Sequence, residues 1–112
     1  YGGTVDLLQE TFADWGIEVT FVDQDDVAAW RDAIGPTTRA LFAESVTNPT
    51  AQVLDVRAVA DIAHEAGVPL VIDNTVATPY LQRPGDFGAD DFQIRRFGGD
   101  FDQSGTQRRL VY

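Results

Sequence analysis

The stretch from Asp55 to Ile72 constrains this chain more than any other. Val56, Val59, Ala60, Ile62, Ala63 and Ala66 recur at helical spacing and make one apolar face, Asp55 opens the helix, and Gly67 supplies its stop. Val68-Pro69-Leu70-Val71-Ile72 follows at once as a continuous apolar run, the pattern of a strand buried on both faces of a parallel sheet. Ahead of it, residues 39–44 read as a second strand and residues 45–52 as a polar loop. Thr4 is placed to cap a helix over residues 4–15, where Val5, Leu8, Phe12 and Trp15 keep helical spacing and Gly16 ends it. Ile17, Val19, Phe21 and Val22 predict a strand closed by the acidic turn Asp23-Gln24-Asp25-Asp26, and a short helix over residues 27–34 stops at Gly35-Pro36. This alternation predicts an α/β layer fold with parallel strands and right-handed crossovers, whose ligands gather at the carboxyl ends of the strands.

Composition narrows the function classes. At 112 residues the chain suits one small core, and a net charge of −10 disfavours nucleic acid and anionic membrane surfaces as partners. Cysteine is absent, which excludes disulfides, thiolate metal sites and cysteine nucleophiles. No apolar run reaches the roughly 18 residues of a membrane span and no leader pattern opens the chain, so the expected location is the cytoplasm. All eight basic residues are arginine, and methionine is also absent. A start at Tyr1 without methionine leads us to expect that the natural N-terminus lies upstream.

The character changes beyond Asp90. Residues 91–112 hold four of the eight arginines but three of the eighteen acids, a balance of +1 against −11 for residues 1–90. Phe92, Ile94, Phe97 and Phe101 fit neither a helix nor a strand, and Gly98, Gly99 and Gly105 interrupt them. The segment reads either as a tail or as a stretch foreign to the fold.

Among residues able to carry chemistry, Asp73 directly follows the most apolar strand, where its carboxylate either meets a cationic ligand atom or caps the next turn. Asn48 before Pro49 lies in the loop after the preceding strand and is by default a turn residue. His64 faces away from the apolar side of its helix and reads as solvated. Gly2-Gly3 is a weak anion-binding signal that equally shapes a turn. No P-loop, dinucleotide fingerprint, Ser-His-Asp set or metal cluster is recognisable.

Taken in order, Tyr1-Gly2-Gly3-Thr4, Gly16-Ile17-Glu18-Val19-Thr20-Phe21-Val22-Asp23, Glu44-Ser45-Val46-Thr47-Asn48-Pro49 and Val71-Ile72-Asp73-Asn74-Thr75-Val76-Ala77-Thr78-Pro79-Tyr80-Leu81 resemble the pyridoxal-phosphate-dependent Cys/Met metabolism family. The resemblance covers residues 1–90 and implies part of the PLP-binding large domain of a three-layer, aspartate aminotransferase-like fold. It implies that Asp73 pairs with the protonated pyridine nitrogen, that Tyr1 stacks on the ring, that Asn48 hydrogen-bonds the 3′ oxygen and that Thr75 packs on the opposite ring face. The second and fourth stretches look most like the family's O-acetylhomoserine sulfhydrylases, which implies that O-acetylhomoserine loses acetate and gains sulfide to give homocysteine for methionine synthesis. Cystathionine γ-synthase and γ-lyase chemistry stays close. The resemblance further implies a small amino-acid substrate and a homo-oligomer, a dimer or tetramer.

The departure from the family pattern is as informative. After Gly88-Ala89-Asp90 the family continues into Ser-X-Thr-Lys, whose lysine forms the Schiff base, whereas here Asp91-Phe92-Gln93-Ile94-Arg95-Arg96 follows and no lysine exists anywhere. The chain therefore has no catalytic residue of that kind and is expected to be inactive alone. Residues 91–112 are divergent or the product of a frameshift, since codons for residues 97–104 exist that end in Thr-Lys when read one base later. The competing reading is a non-catalytic binding or assembly module.

Overall fold

The computed structural model describes residues 1–93. Three parallel strands form one sheet in the order β1-β2-β3, with β1 spanning Leu41–Glu44, β2 Leu70–Asp73 and β3 Asp91–Gln93. Leu41 stands opposite Leu70 and Glu44 opposite Asp73, while Val71 stands opposite Asp91 and Asp73 opposite Gln93. The sheet and its helices make this an α/β arrangement, as the alternation of elements predicts. No described helix is long and apolar enough to cross a membrane.

The helix between β1 and β2 organises the core. Asp55 accepts a hydrogen bond from the Ala58 N–H at 3.0 Å and starts the Val56–Glu65 helix, the fourth α-helix among the described residues (α4). Its Val56, Val59, Ala60, Ile62 and Ala63 are buried and pack with Leu41, Ala43, Leu70 and Ile72 on one face of the sheet, with Trp30 and Leu54 completing the cluster. Gly67 adopts φ 71°, and the N–H groups of Gly67 and Val68 close on the carbonyls of His64 and Ala63. That paired closure needs a left-handed residue and so favours glycine there. The opposite sheet face carries Phe42, Glu44, Val71 and Asp73, all only half-buried. β2 therefore alternates between buried and half-buried positions rather than being buried on both faces, and it begins at Leu70, two residues later than predicted.

Three other expectations change. The N-terminal helix begins at Gly2, not Thr4: α1 (Gly2–Asp6) passes through a π-helical turn (Leu7–Thr11) into α2 (Phe12–Asp14), with Tyr1 at the cap. The Tyr1 carbonyl accepts from Thr4 N–H, so Thr4 lies in the first turn instead of capping it. Residues 17–22 form no strand, because no described strand lies beside them; β-branched and aromatic residues favour a strand only when another pairs with it. Only Val22 of that run packs against the core. α3 (Val27–Asp32) is capped by Asp26, which accepts from the Ala28 and Ala29 N–H groups.

The segment between β2 and β3 holds a short α5 (Thr78–Leu81) and a 3-10 turn (Pro84–Phe87), which docks on α4 through one stripe of the helix. Arg57 donates to the Asp86 carbonyl at 3.2 Å and lies 5.8 Å from the Phe87 ring centre. One turn on, Ala60 meets Gly88, where a Cβ would come within 3.1 Å of the Ala60 methyl and φ is 99°. Further along, His64 Nε2 sits 3.0 Å from Asp90, so this exposed histidine is paired instead of merely solvated. The Asp90 carboxylate also accepts from the Leu70 N–H at 2.8 Å, and the Asp90 N–H donates to the Leu70 carbonyl. Partial desolvation opposes the charged form of Asp90, but the Leu70 bond, the His64 hydrogen bond and the His64 charge outweigh it and hold the carboxyl below its ordinary 3.8. β3 thus begins one residue past Asp90 and includes Phe92, which the sequence pattern left outside any strand. Ile94, Phe97, Phe101 and the rest of the predicted tail lie outside the described residues.

Candidate functional site

The carboxyl ends of β1 and β2 place two acidic residues side by side, Glu44 and Asp73, on the sheet face away from α4. Each is followed by a buried polar residue, Ser45 and Asn74, both fully inaccessible. The Ser45 hydroxyl donates to Asn74 Oδ1 at 2.7 Å, and Asn74 Nδ2 donates to the Gln82 carbonyl at 2.9 Å. The backbone is stitched in the same place: Ser45 N–H donates to the Asp73 carbonyl at 2.9 Å and Asn74 N–H to the Gln93 carbonyl at 2.7 Å. The strand ends are therefore held from both sides by polar groups, each of which finds a partner.

Asp73 is half-buried, and its Oδ1 accepts both the N–H and the hydroxyl of Thr75. Among the described residues no hydrogen bond reaches its Oδ2. A carboxylate with one oxygen clamped and the other open suits a single cationic N–H donor, the donor type of a protonated pyridine ring. The residues present therefore fit the ring-nitrogen end of pyridoxal phosphate.

Of the other residues singled out by sequence, Asn48 meets Glu44 rather than Asp73: its N–H donates to Glu44 Oε2 at 3.3 Å. The Tyr1 ring is largely exposed and folds over Gly3. Asn48 is exposed and its side chain makes no hydrogen bond to a described residue, which leaves its amide available. Thr75 braces Asp73. Sequence reasoning assigned no role to Glu44, Ser45 or Asn74. The available signal was that the paired dipeptides Glu44-Ser45 and Asp73-Asn74 each follow an apolar strand directly, so that parallel pairing brings them together.

Comparison with known proteins identifies the family. The sequence profile of the Cys/Met metabolism PLP-dependent enzymes matches residues 1–92. O-acetyl-L-homoserine sulfhydrylase of Leptospira meyeri is 52% identical over 90 residues, which is 80% of this chain and 20% of that protein. The Corynebacterium glutamicum O-acetyl-L-homoserine sulfhydrylase is 50% identical over 91 residues, covering 80% and 21%. Among solved structures, the O-acetylhomoserine sulfhydrylase from the methionine biosynthetic pathway of Wolinella succinogenes superposes with a TM-score of 0.78 at 41% identity, covering 81% of this chain and 26% of that one. The chain spans about a fifth of the length of the curated relatives it matches. The profile match over residues 1–92 and these identities show that the chain belongs to the Cys/Met metabolism PLP-dependent enzyme family.

Proposed function

We propose that residues 1–90 form the cofactor-facing part of an O-acetylhomoserine sulfhydrylase, which exchanges acetate for sulfide at the γ-carbon to make homocysteine, and that residues 91–112 are a divergent segment. The observation that carries this is Asp73, clamped by Thr75 at the carboxyl end of a parallel strand with one oxygen open. Bound pyridoxal phosphate supplies an electron sink for carbanion character beside the amino-acid nitrogen. In this reading Asp73 holds the ring nitrogen in its protonated form, Thr75 fixes the carboxylate and lines one ring face, Tyr1 stacks on the other, and Asn48 donates its amide to the 3′ oxygen. The choice of sulfhydrylase over γ-synthase or γ-lyase chemistry rests on the two relatives at 50% identity or more. A small amino-acid substrate, homo-oligomeric assembly and a cytoplasmic location belong to the same proposal, the last in keeping with a chain free of cysteine.

The test uses 4′-deoxypyridoxine 5′-phosphate, which lacks the aldehyde and so reports non-covalent binding alone, titrated into the 112-residue chain by fluorescence. Asp73→Asn keeps an oxygen for both Thr75 bonds but removes the charge and turns the open oxygen into an NH2 donor; it is expected to weaken binding at least about tenfold, or roughly 1.4 kcal/mol. No binding by the parent chain, or equal binding by the variant, overturns the reading. Because the chain has no lysine, it is expected to form no homocysteine from O-acetylhomoserine and sulfide.

A further inference from the structure

We infer that Gln52, braced by Asp25 and Gln24, is a positioning residue that fixes the Asn48 loop at the carboxyl end of β1, an inference that rests on the cofactor reading above. The loop leaves the sheet after Ser45 and is closed by an antiparallel bridge between Val46 and Val53. Among the described residues Asn48 is held only by its N–H to Glu44 at 3.3 Å, so its direction follows from the loop backbone around it. That backbone converges on Gln52. The Gln52 N–H donates to Thr47 Oγ1 at 3.0 Å, its carbonyl accepts the Thr47 N–H at 3.0 Å, and its Oε1 accepts from Thr50 Oγ1 at 3.1 Å. Ala51, next to it, sits at φ 54°, a left-handed conformation that a side chain disfavours and that persists only where neighbouring bonds impose it. Here those bonds are Ala51 N–H to the Thr47 carbonyl at 2.9 Å and Gln52 N–H to the Thr47 hydroxyl.

The remaining groups of Gln52 tie this closed loop to the body of the protein. Nε2 donates to Asp25 Oδ2 at 2.9 Å, and the carbonyl also accepts from Gln24 Nε2 at 3.3 Å. Both partners lie in the acidic turn that Asp23 stabilises by accepting from the Asp25 N–H and that Asp26 joins to α3 as its cap. The Gln24 carbonyl accepts from Trp30 Nε1 at 3.3 Å, and Trp30 is part of the core. A continuous path of hydrogen bonds therefore runs from the core through the acidic turn to the loop that presents Asn48. Without the Gln52 amide donor the loop keeps its internal bonds and the longer Gln24 contact but loses its shorter tie to the acidic turn. An otherwise solvent-facing turn is thereby given one geometry, which is what a polar group meeting a rigid ligand requires.

The experiment compares the parent chain with Gln52→Glu, Asp25→Asn and the double variant. Two readouts are used: amide exchange by NMR, and titration with 4′-deoxypyridoxine 5′-phosphate. Gln52→Glu sets two carboxylates against each other, so exchange at Thr47, Ala51 and residue 52 is expected to rise while Val59 to Ala63 stay protected, and the probe to bind roughly three- to tenfold more weakly. The double variant carries the parent's net charge and reverses the donor and acceptor, so it is expected to restore both readouts, a rescue that general destabilisation does not give. Unchanged exchange in Gln52→Glu, a loosened loop with unchanged affinity, or no rescue in the double variant overturns the inference while the cofactor reading stands. Absence of probe binding by the parent chain sinks the cofactor reading and this inference with it.

Discussion

Replacing Asn74 by aspartate tests the polar stitching of the strand ends with almost no change of shape. Asn74 is fully buried; its Oδ1 accepts from Ser45 and its Nδ2 donates to the Gln82 carbonyl. The amide can face only one way, since a flip would set its oxygen against the Gln82 carbonyl. Aspartate keeps the Ser45 bond but loses the donor, and places a buried negative charge against a carbonyl oxygen. The lost hydrogen bond costs about 1 kcal/mol, and the strained carboxylate brings the total to roughly 3–5 kcal/mol at pH 7. That is a large share of the 5–15 kcal/mol typical of a domain. The introduced carboxyl has a folded pKa raised above its unfolded value of about 3.9, so the folded state binds more protons between the two. The penalty is therefore absent below about pH 4, where a protonated oxygen can donate to Gln82, and grows as pH rises towards the folded pKa. Urea unfolding of parent and variant at matched pH values from 3.5 to 7 reads this difference directly. A gap under about 1 kcal/mol at pH 7, or one that does not narrow on acidification, refutes the hydrogen-bond assignment at Asn74.

Asp90→Asn tests the ion pair that holds the start of β3. The parent's Asp90 carboxyl is held below 3.8, so its contribution is present above that value and is lost as pH falls through the lower folded pKa. Because the pair is exposed, the variant should lose no more than about 1 kcal/mol above pH 5, and the gap should close in the same unfolding assay as pH falls through the lowered folded pKa of Asp90. Gly88→Ala places a methyl 3.1 Å from the Ala60 Cβ at φ 99° and should cost about 1–3 kcal/mol; an unchanged Tm in a thermal melt would show that the loop does not press on α4.

What the sequence revealed follows from what repeats. Asp55, the apolar stripe of α4 and Gly67 form a period with a start and a stop, so the helix was legible almost to the residue, while the strand after it starts two residues late and is buried on one face only. Residues 17–22 carry the composition of a strand without a described partner, and composition alone does not create one. β3 is missed for the opposite reason. Asp91, Phe92 and Gln93 are too short a run to show a period, and the strand is set by Asp90, whose bonds to Leu70 and His64 join residues 20 and 26 positions apart. The location of Asp73 was readable because a charged residue ends an apolar run; the identity of its partner was not, since the clamp by Thr75 depends on the turn that follows.

The two sides of the sheet are held by different forces, and this explains why one part of the site was visible and the other was not. Towards α4 the contacts are apolar and periodic, and the side chains of Leu70 and Ile72 are fully buried. At the carboxyl ends, contacts are polar and depend on register: only because Glu44 stands opposite Asp73 does Ser45 reach Asn74. In the proposed reading that register also governs the chemistry. With the Asp73 carbonyl bonded to Ser45 on one side and the Asn74 N–H bonded to Gln93 on the other, the backbone at Asp73 is fixed by both neighbouring strands. Its remaining freedom is the rotation of its own side chain, and Thr75 occupies one oxygen to limit that rotation. A carboxylate restrained in this way presents its second oxygen in one direction, so the ordering entropy has already been lost on folding and not when a cationic partner arrives.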